Sequence, residues 1–189
     1  MLRHYIKESH KTMKPVWSNR LDINISKIEN ERAGFMPYLR TKEGIKFCMA
    51  IDNKTKELTD FAGLRSQFDR DVEDTALRQC RLKSLSIFDF TKRDLDKYKT
   101  LYVFDEKSLI VLIDVTPLGL SEDDYLRMFE EKLLRVNFPR IAGIKWVPAA
   151  EVIKIISRCM PVIYNRVRSL IRDISKIVPI IEVGPPLPE

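Results

Sequence analysis

Apolar positions along this chain fall into short runs of period two and longer runs at helical spacing. Gly34–Arg40 (GFMPYLR) and Ile45–Asp52 (IKFCMAID) read as two strands joined by the turn-forming Thr41-Lys42-Glu43-Gly44. Asn53–Leu58 is a polar turn, after which LTDFAG, starting at Leu58, leads into a loop. Val72, Ala76, Leu77 and Cys80 predict the buried side of a helix from about Asp71 to Ser84. A second hairpin follows, Lys99–Phe104 and Leu109–Val115, β-branched and aromatic, with its turn at Asp105–Ser108. Ser121-Glu122-Asp123-Asp124 resembles a capping box and opens a helix to about Arg135. Ile141–Val147 is a late strand. Pro148-Ala149-Ala150-Glu151 starts a helix, Pro161 interrupts it, and a second segment runs to about Ile177.

The ends read differently. Leu2, Ile6 and Met13 suggest a short helix, and Leu21–Ile28 alternates like a strand. Met1–Asn19 reads as an arm, packed either on a partner or on its own domain. The final VGPPLPE, with Pro185, Pro186 and Pro188, should be extended. The expected organisation is an N-terminal extension over 1–32, a domain over 33–177 and a Pro-rich tail over 178–189.

Composition narrows the class. With 189 residues, 44% of them hydrophobic, the chain can bury the core of one large domain. No run approaches the length of a membrane span, and MLRHYIKESHKTMK is too polar for a secretory signal. Cys48, Cys80 and Cys159 are odd in number and widely separated, which suits reduced thiols in the cytoplasm or nucleus. Each sits in an apolar pattern and reads as a small core residue. The only histidines are His4 and His10, so no zinc spacing exists, and a Ser-His or Cys-His pair would have to recruit the N-terminal arm. The net charge of +6 permits attraction to nucleic acid or to an acidic protein; a mixed solvated surface is the plainer alternative.

The segment Asp60–Phe88, DFAGLRSQFDRDVEDTALRQCRLKSLSIF, carries the most information. It resembles the Nudix box: a Gly, five residues, a Glu, seven residues, then Arg-Glu-apolar-x-Glu-Glu-x-Gly. TALRQCRLKSLSIF fits that pattern in length and apolar positions, and Trp146-Val147-Pro148 fits the strand end that leads into the C-terminal helix of Nudix folds. The resemblance covers roughly residues 33–176. It implies an α/β fold, a Nudix-like α/β/α sandwich around a mixed sheet.

The residues that carry Nudix chemistry are replaced. Anchored on Arg78, Gln79 takes the place of the Glu in "Arg-Glu", and Leu82 and Lys83 take the place of the paired glutamates. Arg70 replaces the upstream Glu and Leu64 the box Gly, with Gly63 one place earlier. A shift of one residue puts Asp69 at the first Glu and Gly63 at the Gly, and recovers none of the later three. Hard divalent cations need several oxygen ligands, and an amide, an alkyl chain and an ammonium do not supply them. Asp69, Asp71, Glu73 and Asp74 are either acids at a helix start or a displaced metal site. The resemblance therefore implies a domain with no metal, no cofactor and no catalysis.

Candidate contacts to phosphate or nucleic acid are Arg70, Arg78 and Lys83 around the box, and Arg168, Arg172 and Lys176, spaced i, i+4, i+8 on the expected last helix. Tyr38, Phe47, Phe61, Tyr102 and Phe104 are expected in the core, with one or two free to line a nucleotide cleft. The favoured reading is a non-catalytic component of a larger assembly, contacting protein subunits through its terminal arms. The segment style is similar to Nudix proteins of large DNA viruses, which makes a virion one such assembly. The second reading is a module that binds RNA or DNA, as the Nudix subunit of the pre-mRNA cleavage factor binds RNA. The third is a residual hydrolase using Asp69, Asp71, Glu73 or Asp74.

Overall fold

The computed structural model describes residues 15–17, 32–98 and 100–184. The helix expected near Leu2–Met13, the strand expected at Leu21–Ile28 and the last five residues of the tail lie outside these. The elements run β1 (Val16–Trp17), β2 (Arg32–Thr41), β3 (Gly44–Asp52), β4 (Leu58–Thr59), β5 (Phe61–Leu64), α1 (Val72–Lys83), α2 (Lys92–Lys97), β6 (Leu101–Phe104), β7 (Ser108–Asp114), α3 (Glu122–Leu133), β8 (Ile141–Pro148), α4 (Ala149–Ser157), α5 (Asn165–Leu170) and α6 (Ile174–Val183).

Both expected hairpins form. Thr41 pairs with Gly44 across the first turn, and Leu101–Phe104 pairs with Leu109–Leu112 in the second. The strands join one mixed sheet in the order β1-β6-β7-β2-β3-β4, with β5 on β2 and β8 on β3. β2 and β7 run parallel and the other pairs antiparallel.

Alternation along the strands splits the core in two. Met36, Tyr38, Phe47, Met49, Ile110 and Leu112 face α4, α5 and α6. Phe35, Leu39, Cys48, Ala50, Val111 and Ile113 face α1, α2 and α3. The result is an α/β/α sandwich.

One open alternative is decided and two expectations change. Trp17 is buried and β1 pairs with β6, so this short piece of the arm packs on its own domain. The last helix continues through Pro179 to Val183, beyond the Ile177 expected. Arg40 explains how: its guanidinium, held by Asp114 at 2.7 Å, donates to the carbonyls of Ile181 and Glu182 and caps the helix end. Cys159 is exposed, whereas Cys48 and Cys80 are buried and burial pushes their thiols well up in pKa. Among the described residues no helix is long and apolar enough to cross a membrane.

Candidate functional site: a cationic cleft beside α1

The loop before α1 is built by its acids. Asp71 caps the helix, accepting from the Asp74 N–H at 2.8 Å. Asp69 accepts from the Ser66 N–H at 2.8 Å, the Thr75 hydroxyl at 2.9 Å and Arg78 at 2.6 and 2.7 Å. Asp74 accepts from Arg70 at 2.9 Å and pairs with Lys92, which also pairs with Asp71. Glu73 accepts from the Tyr102 hydroxyl at 2.7 Å. Each of the four acids thus has partners inside the fold. Among the described residues no group of three or more His, Cys, Asp or Glu could hold a metal ion.

Arg78, backed by Ser66 and Thr75, lowers the Asp69 carboxyl from an ordinary 3.8 to about 2. A depressed carboxylate stabilises the fold fully above its unfolded pKa and loses that contribution as pH falls through its folded pKa. Asp69→Asn is expected to cost about 2 kcal/mol at pH 7. In urea titrations the gap from the parent should shrink between pH 4 and pH 2. A gap of constant size across that window would rule the ion pair out as its source.

The face of α1 formed by Gln79, Leu82 and Lys83 offers little to a cation. Gln79 is buried and donates its amide N–H to the Leu64 carbonyl at 3.0 Å. It lies over Gly63 so closely that a Cβ there would sit 2.2 Å from its side chain. Leu82 offers no donor atom to a cation. Lys83 is half-buried and makes no hydrogen bond or ion pair among the described residues. One neutral amide, one alkyl chain and one ammonium do not fit a divalent cation.

Lys83 belongs instead to a group of charges that sequence reasoning did not assemble. Asp60, between β4 and β5, is 0% exposed. Its Oδ1 accepts from Arg166 of α5 at 2.7 Å and from the Thr59 hydroxyl at 3.2 Å. Arg32, at the start of β2, donates to the Ala62 carbonyl at 3.3 Å. Arg32 Nε, Arg166 Nε and Nη1, and Asp60 Oδ2 are buried with no partner among the described residues. Burial lowers the pKa of Lys83, and Arg32 and Arg166 lower it further against the opposing pull of Asp60. Burial and Arg166 lower that of Arg32. Three cations therefore share one fully buried carboxylate. Their partial burial screens the mutual repulsion less than bulk water would.

These charges border a cleft of about 630 Å³. Arg32, Lys54, Lys83 and Arg140 line it, with Gln79 and Gly63 among its lining residues. Leu64 and Phe138, also lining it, are 64% and 96% exposed. Phe138 holds a left-handed backbone, φ 60°, which is costly for an aromatic residue. The aromatics expected as cleft candidates, Tyr38, Phe47, Phe61, Tyr102 and Phe104, are all buried.

The sequence-chosen cations scatter. Lys83 is in the cleft, and Arg78 borders its neighbour lobe while bonded to Asp69. Arg70 is 81% exposed, pairs with Asp74 and does not line the cleft. Arg168, Arg172 and Lys176 do not share one helix, because the chain turns at 171–173 between α5 and α6. Arg168 donates to the carbonyls of Cys159 and Met160, left open just past the end of α4. Lys176 lies 3.4 Å from Asp173. Arg32, Asp60 and Arg166 are far apart in sequence and belong to no motif, so only folding brings them together.

No protein-family model matches this sequence, and no curated protein matches it. Solved structures do resemble it. An Ap4A hydrolase from C. elegans, in a binary complex, is 18% identical over 78% of this chain and 96% of its own, with a TM-score of 0.44. The Nudix hydrolase RenU from M. smegmatis is 11% identical over 85% and 90%, with a TM-score of 0.49. The Nudix domain of Shewanella oneidensis NrtR, complexed with ADP ribose, is 11% identical over 84% and 95%, with a TM-score of 0.45.

Proposed function

We propose that this chain is a Nudix-type binding domain in which a cationic cleft replaces the metal-binding face, and that it holds single-stranded nucleic acid without hydrolysing it. One observation carries the reading: Lys83 stands where a metal-ligating Glu is expected, with Arg32 and Arg166 beside it, three cations against the two carboxylates Asp60 and Asp52. A phosphate supplies the missing negative charge and accepts from guanidinium and ammonium donors. Phe138 and Leu64 at the cleft give bases an apolar surface on which to lie, a mode of contact that tolerates any sequence.

The test is fluorescence anisotropy with labelled single-stranded RNA and DNA across a salt series. Binding should weaken steeply with salt. Lys83→Glu should lower affinity by about tenfold or more, since it replaces a phosphate contact by a repulsion. Capped RNA and nucleoside diphosphate derivatives should not turn over with Mg²⁺ or Mn²⁺. Metal-dependent turnover by clean protein, abolished by alanine at Asp69, Asp71, Glu73 or Asp74, would restore the hydrolase reading.

A second reading is an interaction component of a larger assembly such as a virion. Phe68 and Leu134, 83% and 89% exposed, favour it as apolar anchors. Absence of nucleic-acid binding at low salt, together with co-purifying protein subunits lost on Leu134→Asp, would select it.

A further inference from the structure

The cleft does not end at Arg32. Arg32 also lines a second lobe of about 270 Å³, together with Leu64, Lys107, Arg166 and Ser169, with Asp105 at the turn. Arg32 and Leu64 line both lobes. We infer, resting on the reading above, that the ligand is a strand with at least two successive phosphates, one in each lobe, crossing the Leu64 ridge, rather than a single nucleotide.

Charge is the first argument. Six cations line the two lobes together: Lys54, Lys83 and Arg140 in one, Lys107 and Arg166 in the other, and Arg32 in both. Lys54, Lys83, Lys107 and Arg140 make no ion pair among the described residues. The two lining carboxylates are already engaged. Asp52 Oδ1 accepts from the Lys54 and Thr55 N–H groups at 2.8 and 2.9 Å. Asp105 Oδ1 accepts from those of Lys107 and Ser108 at 2.8 and 2.7 Å. Both acids shape turns that present a lysine, and together with the buried Asp60 they set three carboxylates against six cations. One phosphate would leave most of this charge uncompensated.

Shape is the second argument. The lobes are two distinct hollows that share Arg32 and the exposed Leu64 in their walls, so one compact anion does not fill both. A strand can, with a sugar or base resting on Leu64 as it passes. Arg32, which lines both, can serve either phosphate, and Arg166 also lines the second lobe.

The experiment uses the full chain and three probes: a labelled oligouridylate of about ten nucleotides, uridine monophosphate and polyglutamate. Lys107 and Ser169 are exposed and make no side-chain hydrogen bond or ion pair among the described residues, so Lys107→Glu and Ser169→Glu keep the domain intact, checked by thermal melts. Either variant is expected to weaken oligouridylate binding by about tenfold, and Lys107→Glu to flatten the salt slope by about 0.7 for one lost phosphate contact. Uridine monophosphate should compete weakly and with the same strength in parent and Lys107→Glu protein. If Lys83→Glu weakens the oligonucleotide while both second-lobe variants leave it unchanged, the two-lobe inference falls and the nucleic-acid reading stands. Monophosphate competing as well as the strand, per phosphate, also overturns the inference. Polyglutamate binding as tightly as the strand makes the partner an acidic protein segment and overturns it too. No binding by either nucleotide probe at low salt overturns both readings.

Discussion

Replacing Asp60 by alanine is expected to lower the unfolding free energy by about 3–5 kcal/mol, the usual cost of removing one partner of a buried ion pair. Asp60 is wholly buried; it accepts from Arg166 and is the leading negative charge acting on Arg32 and Lys83, ahead of Asp52. Without it, Arg166 loses a 2.7 Å bond that it makes in a site it shares with two like charges. The melting temperature should fall by roughly 10 °C for a domain of this size. The same substitution makes the cleft more positive, so the fraction that remains folded should bind an anionic strand more tightly. Stability and affinity thus move in opposite directions, which simple loss of packing would not produce. Denaturant titration and anisotropy on one preparation check both. A cost below about 1 kcal/mol would mean that the guanidinium groups turn out to solvent and that the cluster is not held in the folded protein.

Gly34→Ala is the second large effect. Gly34 pairs with Ala62 across β2 and β5. A Cβ at Gly34 would sit 2.2 Å from Ala62 Cα and 2.5 Å from the Phe61 carbonyl oxygen. These are backbone atoms of a paired strand and cannot rotate away. The cost is expected at about 3 kcal/mol or more, the upper end for overpacking. β5 also carries Gly63 and Leu64 and follows directly on Asp60, so pushing it off β2 opens the cleft wall and should weaken ligand binding. Gly63→Ala is the control. Its Cβ meets only the far end of the Gln79 side chain, which can swing aside and lose one bond to Leu64, at about 1 kcal/mol. Equal losses in the two variants, measured by urea unfolding, would sink the argument from backbone contact.

The two glycines also show what is legible in a sequence. Gly63 stands beside the box position where Nudix loops carry their glycine, so its place could be read. Gly34 reads only as a residue opening a strand; the close approach of β5 needs coordinates. Among the aromatics, Tyr38, Phe47, Phe61, Tyr102 and Phe104 announce a core by their strand positions, and they are core. Phe138 sits in a polar connection, Asn137–Arg140, where periodicity has nothing to say. Its left-handed backbone and its exposure at the cleft are properties of a loop held at both ends by α3 and β8.

Local chemistry determined the local structure. Alternation at 34–40 and 45–52 forces strands with two buried faces, and the acids at Asp71 and Asp124 open helices by satisfying free N–H groups. The residue types on that face of α1, Gln79, Leu82 and Lys83, are likewise what they are in any fold. Tertiary structure decided what surrounds them. A charge acts through space on whatever lies within a few ångströms, regardless of separation along the chain. Arg32, Asp60, Lys83 and Arg166 therefore become one electrostatic unit only when β2, β5, α1 and α5 meet. Arg168, Arg172 and Lys176, regularly spaced in sequence, are parted by the turn at 171–173.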